Sequence, residues 1–155
     1  MENIKKFYLY YRIYSKQISY ILKSLGININ TVPVLDVRRK NSNNVIGDRS
    51  FGFDPKIVSE IGDFCIDEFT KNKIGTIIKH IPGHGLAKVD SHKKTPIVKE
   101  KIHLLNKKDF YPFKNKKSLF AMTAHIIYQD IDAANTTTHS KKMIKLIRNK
   151  IKFKN

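Results

Sequence analysis

The stretch that decides the fold is residues 74–85, which read Ile-Gly-Thr-Ile-Ile-Lys-His-Ile-Pro-Gly-His-Gly. Its first half is a nearly continuous apolar run, which is typical of strands that are buried on both faces in parallel sheets. Its second half contains a proline and two glycines, which end a strand and begin a loop. The stretch therefore predicts a buried strand over residues 75–79, followed by a long polar loop over residues 80–98.

Helices and strands alternate on both sides of this strand. An amphipathic helix is predicted over residues 7–25, and Gly26 stands where a C-terminal cap belongs. The apolar stripe of that helix consists of Phe7, Tyr10, Tyr11, Tyr14, Ile18, Ile21, Leu22 and Leu25. Further along the chain, the pattern predicts strands over residues 27–32 and 119–124. It also predicts helices that begin at Asp54-Pro55 and at Ser140, and one helix over residues 100–117. This alternation predicts an α/β fold with about three parallel strands, right-handed crossovers and flanking helices.

Composition bounds the class of protein. A chain of 155 residues with 41% apolar residues suffices for one hydrophobic core, so we expect a single domain over residues 1–155. No apolar run approaches the length of a membrane span, which predicts that the protein has no membrane partner. The first 26 residues have no apolar block after Lys5 and Lys6, so no signal peptide is predicted. A single cysteine, Cys65, suits a reducing compartment, and we expect the protein in the cytoplasm.

The chain is strongly basic, with a net charge of +17 from thirty Lys and Arg against thirteen Asp and Glu. Such an excess favours a nucleic-acid or other anionic partner. The lysines are spread over the whole chain, however, and the densest run, residues 114–117, contains no aromatic residue. Sequence-specific nucleic-acid binding is therefore not predicted, and any such binding should be weak and salt-sensitive.

Chemistry is concentrated in the loop after the 75–79 strand. Asp90 and His92 lie two residues apart, so the carboxylate can bond one imidazole nitrogen and set the tautomer of the ring. Such a histidine can donate and accept a proton near neutral pH. Lys79 and His80, at the end of the strand, can bind hydroxyl groups or a developing charge.

A metal site is the alternative interpretation of the same histidines. His80 and His84 are four residues apart, and His92 and His125 could join them. A pair at this spacing binds a metal only on a helix, however, and the Pro-Gly at residues 82–83 forbids a helix there. We therefore predict neither a metal nor a cofactor.

Several motifs resemble one enzyme family. The loop reads Lys-His-Ile-Pro-Gly-His-Gly and then, after four residues, Asp-Ser-His, which resembles the signature of the bacterial β-N-acetylglucosaminidases of glycoside hydrolase family 3. The resemblance covers essentially the whole chain, because further motifs agree in order and spacing. They are Pro-Val-Leu-Asp-Val at 33–37, Ile-Gly-Asp-Arg-Ser-Phe-Gly at 46–52 with Asp-Pro at 54–55, Pro-Phe at 112–113 and Met-Thr-Ala-His-Ile at 122–126.

This resemblance implies a partial (β/α)8 barrel of the TIM type and an incomplete catalytic domain over residues 1–155. It implies that His92 is the general acid/base of a retaining mechanism and that Asp90 orients it. It implies that Arg49, Lys79 and His80 contact an N-acetylglucosamine unit. In the family the nucleophilic aspartate follows the segment that is matched here, so we expect no nucleophile in this chain.

Three hypotheses remain open at this point. The first is a split hydrolase that releases N-acetylglucosamine from glycans or muropeptides of peptidoglycan and needs a separately encoded C-terminal half. The second is a non-catalytic relic that retains weak sugar binding. The third is a basic nucleic-acid-binding protein, which the loop signature disfavours. The first two differ in whether the neighbouring DNA encodes the nucleophile segment.

Overall fold

The computed structural model describes residues 2–40, 45–87, 89 and 94–155. The helices are α1 (Glu2–Ser24), α2 (Pro55–Lys71), α3 (Ile102–Lys107) and α4 (Lys141–Leu146), and the strands are β1 (Ile29–Asn30), β2 (Gly75–Ile81), β3 (Ile97–Val98), β4 (Phe120–Thr123) and β5 (Ile127–Tyr128). Two 3-10 turns, Gly47–Arg49 and Tyr111–Phe113, and one π turn, Ile147–Ile151, complete the described elements. No helix in the described part of the chain is both long and apolar enough to cross a membrane.

The central sheet is parallel and has the order β1-β2-β4. The prediction of an α/β fold with three parallel strands is confirmed, because the three strands are the predicted ones. A second, two-stranded parallel sheet, β3-β5, was not expected. Each of its strands has two residues, which is too short for an apolar-polar alternation to show in the sequence.

The two faces of the central sheet differ in what covers them. Ile78 of β2 is fully buried on the face that packs against α2, among the residues of the main core. Its neighbours Ile77 and Lys79 point to the opposite face, together with their partners on β4, Phe120 and Met122. Phe120 is 47% exposed and Met122 is 42% exposed. In the closed barrel that the resemblance implies, this second face would be the packed interior. In the described sheet it is an open face.

Helix α2 is the element that fixes the outer face. Asp54 is its N-cap and accepts hydrogen bonds from the backbone N–H groups of Lys56 and Ile57 at 2.7 and 3.2 Å. Pro55 follows at the first helical position, as predicted. The buried face of the helix consists of Val58, Ile61, Gly62, Cys65, Ile66, Glu68 and Phe69.

Helix α1 packs on α2 along a different stripe from the predicted one. Ser15 and Ser19 are buried, and the ring of Tyr8 lies 4.6 Å from that of Phe64 on α2. Four residues of the predicted stripe are at least half exposed; they are Tyr10, Tyr14, Ile21 and Leu25. The predicted stripe is wrong at these positions, because the side of the helix that packs includes Tyr8 and the small Ser15 and Ser19, which lie outside that stripe.

The single helix predicted over residues 100–117 is broken into two pieces. Helix α3 ends at Lys107, and a 3-10 turn with Pro112 at its start follows. Proline has no backbone N–H, so regular helical hydrogen bonding cannot continue through residue 112. Phe110 and Phe113, on either side of this proline, are fully buried in the core.

Candidate active site

The candidate site lies at the C-terminal end of β2, where parallel α/β folds place their chemistry. The segment after β1 runs beside β2 there, because Val34 pairs with Lys79 and the Leu35 N–H donates to the Lys79 carbonyl at 2.8 Å. This pairing brings Asp36 next to His80. The two residues are 44 positions apart in the sequence.

Asp36 is fully buried, and its carboxylate accepts three hydrogen bonds. Oδ2 is 2.7 Å from Nδ1 of His80. Oδ1 accepts from the backbone N–H groups of His84 at 2.6 Å and of His80 at 3.3 Å. The carboxylate therefore joins the end of β2 to the loop that follows it, and the rings of His80 and His84 lie 5.5 Å apart.

Arg49 reaches the same region from the turn before α2. Its Nη2 donates to the Val45 carbonyl at 2.5 Å, and the hydroxyl of Ser50 donates to the backbone carbonyl of Asp36 at 2.7 Å. Two causes lower the pKa of Lys79: burial, which is the larger cause, and the positive charge of Arg49. The negative charge of Asp36 opposes this shift. Lys79 Nζ lies 3.4 Å from Oγ1 of Thr31. The structure thus brings together Arg49, Lys79 and His80, the three residues that the motif nominated for sugar contact.

A second buried carboxylate, Asp109, lies against the loop that contains Gly83 and Gly85. It forms an ion pair with Arg39 at 2.5 Å, and its side chain is only 2% exposed. Burial raises the pKa of Asp109, the Arg39 guanidinium opposes that rise, and the Asp36 charge adds to it. This pair was not predicted, because the two residues lie 70 positions apart.

Gly83 and Gly85, the two glycines of this loop, lie in close contact with the backbone of Asp109 and of Val37. A Cβ atom on Gly85 would collide with the Val37 carbonyl oxygen, and one on Gly83 would lie 2.7 Å from the Asp109 carbonyl oxygen. The buried hydroxyl of Tyr128 donates to the carbonyl of Gly83. These contacts require glycine at both positions, since any side chain would push the loop away from the backbone of Val37 and Asp109.

Other predicted residues fall elsewhere or outside the described residues. Asp90 and His92, the predicted catalytic pair, lie outside them, so their geometry stays a prediction. His125 follows β4, and its Nδ1 lies 2.8 Å from Oγ1 of Thr138. Within the described ranges, no group of three or more His, Cys, Asp or Glu is placed to hold a metal ion.

Asp36 is the residue at this candidate site to which the sequence analysis assigned no role. The available signal was its position, because an acidic residue directly after the apolar Val34-Leu35 pair, at the end of a strand region, suits a site at the sheet edge. Its partner could not be identified, because nothing local in the sequence connects residue 36 with residue 80.

Comparison with known proteins relates the chain to one enzyme family. Residues 10–155 match the model of the glycosyl hydrolase family 3 N-terminal domain. A β-hexosaminidase of Nitrosomonas eutropha is 32% identical over 90% of this chain and 42% of its own length.

Solved structures agree with the sequence comparison. NagZ of Neisseria gonorrhoeae, in complex with N-trifluoroacetyl-D-glucosamine, superposes with a TM-score of 0.87 at 27% identity over 96% of this chain and 44% of its own. A glycoside hydrolase family 3 β-N-acetylglucosaminidase of Paenibacillus gives a TM-score of 0.86 at 30% identity, over 92% of this chain and 28% of its own. The chain thus spans less than half the length of these relatives. In both sequence and fold, it belongs to glycosyl hydrolase family 3, of whose N-terminal domain it represents a part.

Proposed function

We propose that this chain forms the sugar-binding and acid/base part of a retaining β-N-acetylglucosaminidase. The observation that carries the proposal is the convergence of Arg49, Lys79 and His80 at the C-terminal end of β2, supported by the buried Asp36. The likeness to a NagZ that is bound to an N-acylated glucosamine supports the choice of sugar.

The residues divide into two roles. Arg49, Lys79 and His80 bind the hydroxyl and N-acetyl groups of the terminal sugar. His92 protonates the leaving glycosidic oxygen and later activates water, and Asp90 orients its ring. The substrate is a glycan or muropeptide that ends in N-acetylglucosamine, derived from peptidoglycan and processed in the cytoplasm, as the family resemblance implies.

A retaining glycosidase also needs a nucleophile on the opposite face of the scissile bond. Neither buried carboxylate at the described site is free for that role. Asp36 is fully buried and bonded to His80 and His84, and Asp109 is buried and paired with Arg39. The nucleophile therefore comes from a further segment that completes the barrel, the C-terminal half of the site.

The open face of the central sheet offers a place for that segment. Phe120 and Met122 point into what would be the barrel interior, and each is nearly half exposed. Burial of apolar area contributes about 25 cal/mol per Å², so covering these side chains favours association.

A complementation experiment tests the proposal. The chain is mixed with a polypeptide that contains the part of Neisseria gonorrhoeae NagZ which this chain does not match, and hydrolysis of a chromogenic N-acetylglucosaminide is followed. We expect no turnover from the chain alone, because an acid/base group by itself contributes only about 10²–10⁴-fold. The mixture should hydrolyse the substrate, and His92→Ala in this chain should abolish the rate.

Sugar binding is measured separately, by NMR titration of the chain with N-acetylglucosamine. Lys79→Ala should weaken binding, whereas Lys142→Ala, at an exposed lysine of α4, should leave it unchanged. Binding without turnover in the mixture would favour the non-catalytic relic. Turnover by the chain alone that persists in His92→Ala would contradict the proposed mechanism.

A further inference from the structure

We propose that Asp36 is a positioning residue that sets the ring tautomer of His80, so that Nε2 of His80 is the atom presented to the bound sugar. The identity of the ligand rests on the proposed function, but the tautomer does not. This Asp–His pair is distinct from the predicted pair of Asp90 and His92, because it belongs to the sheet edge rather than to the loop tip.

The tautomer follows from the surroundings of the carboxylate. Asp36 accepts backbone N–H groups at Oδ1, from His84 at 2.6 Å and from His80 at 3.3 Å. An ionised carboxylate can only accept hydrogen bonds, so the hydrogen between Oδ2 and Nδ1 of His80 belongs to the imidazole. The short Oδ2–Nδ1 distance of 2.7 Å suits a charge-assisted bond.

The other ring nitrogen is left for a ligand. With Nδ1 protonated, Nε2 of a neutral ring is an acceptor, and it can bind the hydrogen of a sugar hydroxyl. The His80 side chain is 20% exposed although its Asp36 partner is fully buried. Among the described residues, no hydrogen-bond partner of Nε2 is present.

Asp36 also ties together the segments that carry the other sugar-contact residues. Its carboxylate binds the backbone of His84, and its own carbonyl accepts the hydroxyl of Ser50, next to Arg49. Movement of Asp36 would therefore displace His80 and the Arg49 turn together.

The burial of the charge indicates a role beyond packing. A fully buried carboxylate is costly unless donors surround it, and a neutral amide oxygen could accept the same two backbone N–H groups. Only an acceptor without hydrogens, however, forces the Nδ1–H form, because an asparagine amide can also donate to Nδ1. The charge at Asp36 is thus required by the ring of His80 and not by the backbone.

The ring is measured directly in the 155-residue chain with ¹⁵N-labelled histidine. Two-bond ¹H–¹⁵N spectra are recorded at about pH 9, above the usual titration range of imidazole. We expect His80 to show a protonated Nδ1 and an unprotonated Nε2. A protonated Nε2 with an unprotonated Nδ1 would overturn the proposal, whatever the sugar titration shows.

Two variants extend the test to binding. Asp36→Asn should mix or invert the His80 tautomer and weaken N-acetylglucosamine binding about ten-fold, the usual effect of losing a hydrogen bond to a charged group. Asp63→Asn is the matched control, because it removes the carboxylate partner of the buried Lys116 away from the site. It should change neither the tautomer nor the binding constant by more than about two-fold.

The outcomes separate this inference from the proposed function. If the wild-type chain shows the expected tautomer but binds no N-acetylglucosamine, the proposed function fails and the positioning of His80 stands. If the wild type binds the sugar and Asp36→Asn binds equally well with an unchanged tautomer, the positioning role is refuted. Should Asp36→Asn fail to fold, the wild-type spectrum alone still decides the tautomer.

Discussion

The pKa of Lys79 depends on neighbours that come from distant segments of the chain. Burial and the charge of Arg49 lower its pKa, and Asp36 partly opposes the shift. Arg49 arrives from the turn before α2 and Asp36 from the segment after β1. A partly desolvated cation of this kind interacts more strongly with a polar ligand than a surface lysine does.

The first prediction concerns this lysine. Arg49→Gln should raise the pKa of Lys79, because one of its two lowering causes is removed, but not to the ordinary value, because burial is the larger cause. NMR titration of the lysine side chains measures the shift. Arg148→Gln removes an equal charge near the C-terminus, where Arg148 binds the Phe153 carbonyl, and should leave Lys79 unchanged. An unaltered pKa in Arg49→Gln would show that the two cations do not interact.

A second prediction at the residue scale concerns Gly85, which lies against the backbone of Val37. Gly85→Ala should lower the free energy of unfolding by about 3 kcal/mol, because its methyl group would collide with the rigid Val37 carbonyl. Gly26→Ala is the control. It has a positive φ of 73° but no atom within 4 Å of the added Cβ, so only about 1 kcal/mol is expected. Urea denaturation measures both, and equal losses would mean that the collision is relieved by a backbone shift.

At this scale the motif nominated side chains that the structure places near the end of β2, but it did not indicate which residues hold them there. Arg49, Lys79 and His80 could be nominated because each stands in a short pattern that is visible in the sequence. Their supports, Asp36 and the Arg39–Asp109 pair, could not, because those contacts join residues 44 and 70 positions apart. Long-range contacts of this kind follow from the register of the sheet and leave no local trace.

Among the elements, the segment after the 3-10 turn Tyr111–Phe113 contains the basic run at residues 114–117, and the structure shows what its lysines bind. Lys116 Nζ is buried and donates to Ser59 of α2 and to the Asp63 carboxylate at 2.8 and 2.6 Å. Lys114 donates to the Asn106 carbonyl at 3.1 Å. Two of the three lysines in this run are therefore bound within the protein, and Lys116 attaches the segment after the turn to α2.

Two adjacent lysines provide a matched test of this attachment. Lys116→Ala should destabilise the fold by about 1–3 kcal/mol, because it removes the buried packing of the side chain and its hydrogen bonds. Lys117→Ala changes the net charge equally at an exposed position and should stay within about 0.5 kcal/mol of the wild type. Thermal unfolding by circular dichroism distinguishes them, and similar values for both would contradict the attachment.

The helices and strands could be predicted where their residues act locally. Asp54-Pro55 and Ser140 begin α2 and α4 as predicted, because capping depends on residues within one turn. The buried stripe of α1 was wrong because it depends on where α2 lies. The helix over residues 100–117 was wrong because Pro112 and the packing of Phe110 and Phe113 outweigh the apolar period.

For the whole molecule, the dominant feature is a net charge of +17. Several of the basic side chains are engaged within the protein, as in the ion pairs of Arg39 with Asp109, Lys71 with Glu68 and Lys101 with Asp130. The others recur on helices and loops throughout the chain. This distribution favours non-specific attraction over recognition.

We therefore expect DNA binding to be weak and independent of sequence. Binding of fluorescent duplexes of different sequence should weaken in parallel and be lost between about 50 and 200 mM salt, as counterion release predicts. Fluorescence anisotropy measures the affinity at each salt concentration. A duplex whose binding survives in 200 mM salt while others are released would favour the nucleic-acid hypothesis instead.

Because the inner face of the sheet is open, an oxidant can reach the thioether of Met122. It is 42% exposed on that face, whereas Met143 on α4 is 1% exposed. Peroxide converts accessible methionine to its sulfoxide, so we expect Met122 to be oxidised well before Met143, as read from peptide masses. A segment that packs on the sheet should shield Met122 and leave the rate at Met143 unchanged. Equal rates in the chain alone would show that the face is already covered, and a selective slowing at Met122 would make the thioether a chemical reporter of barrel closure.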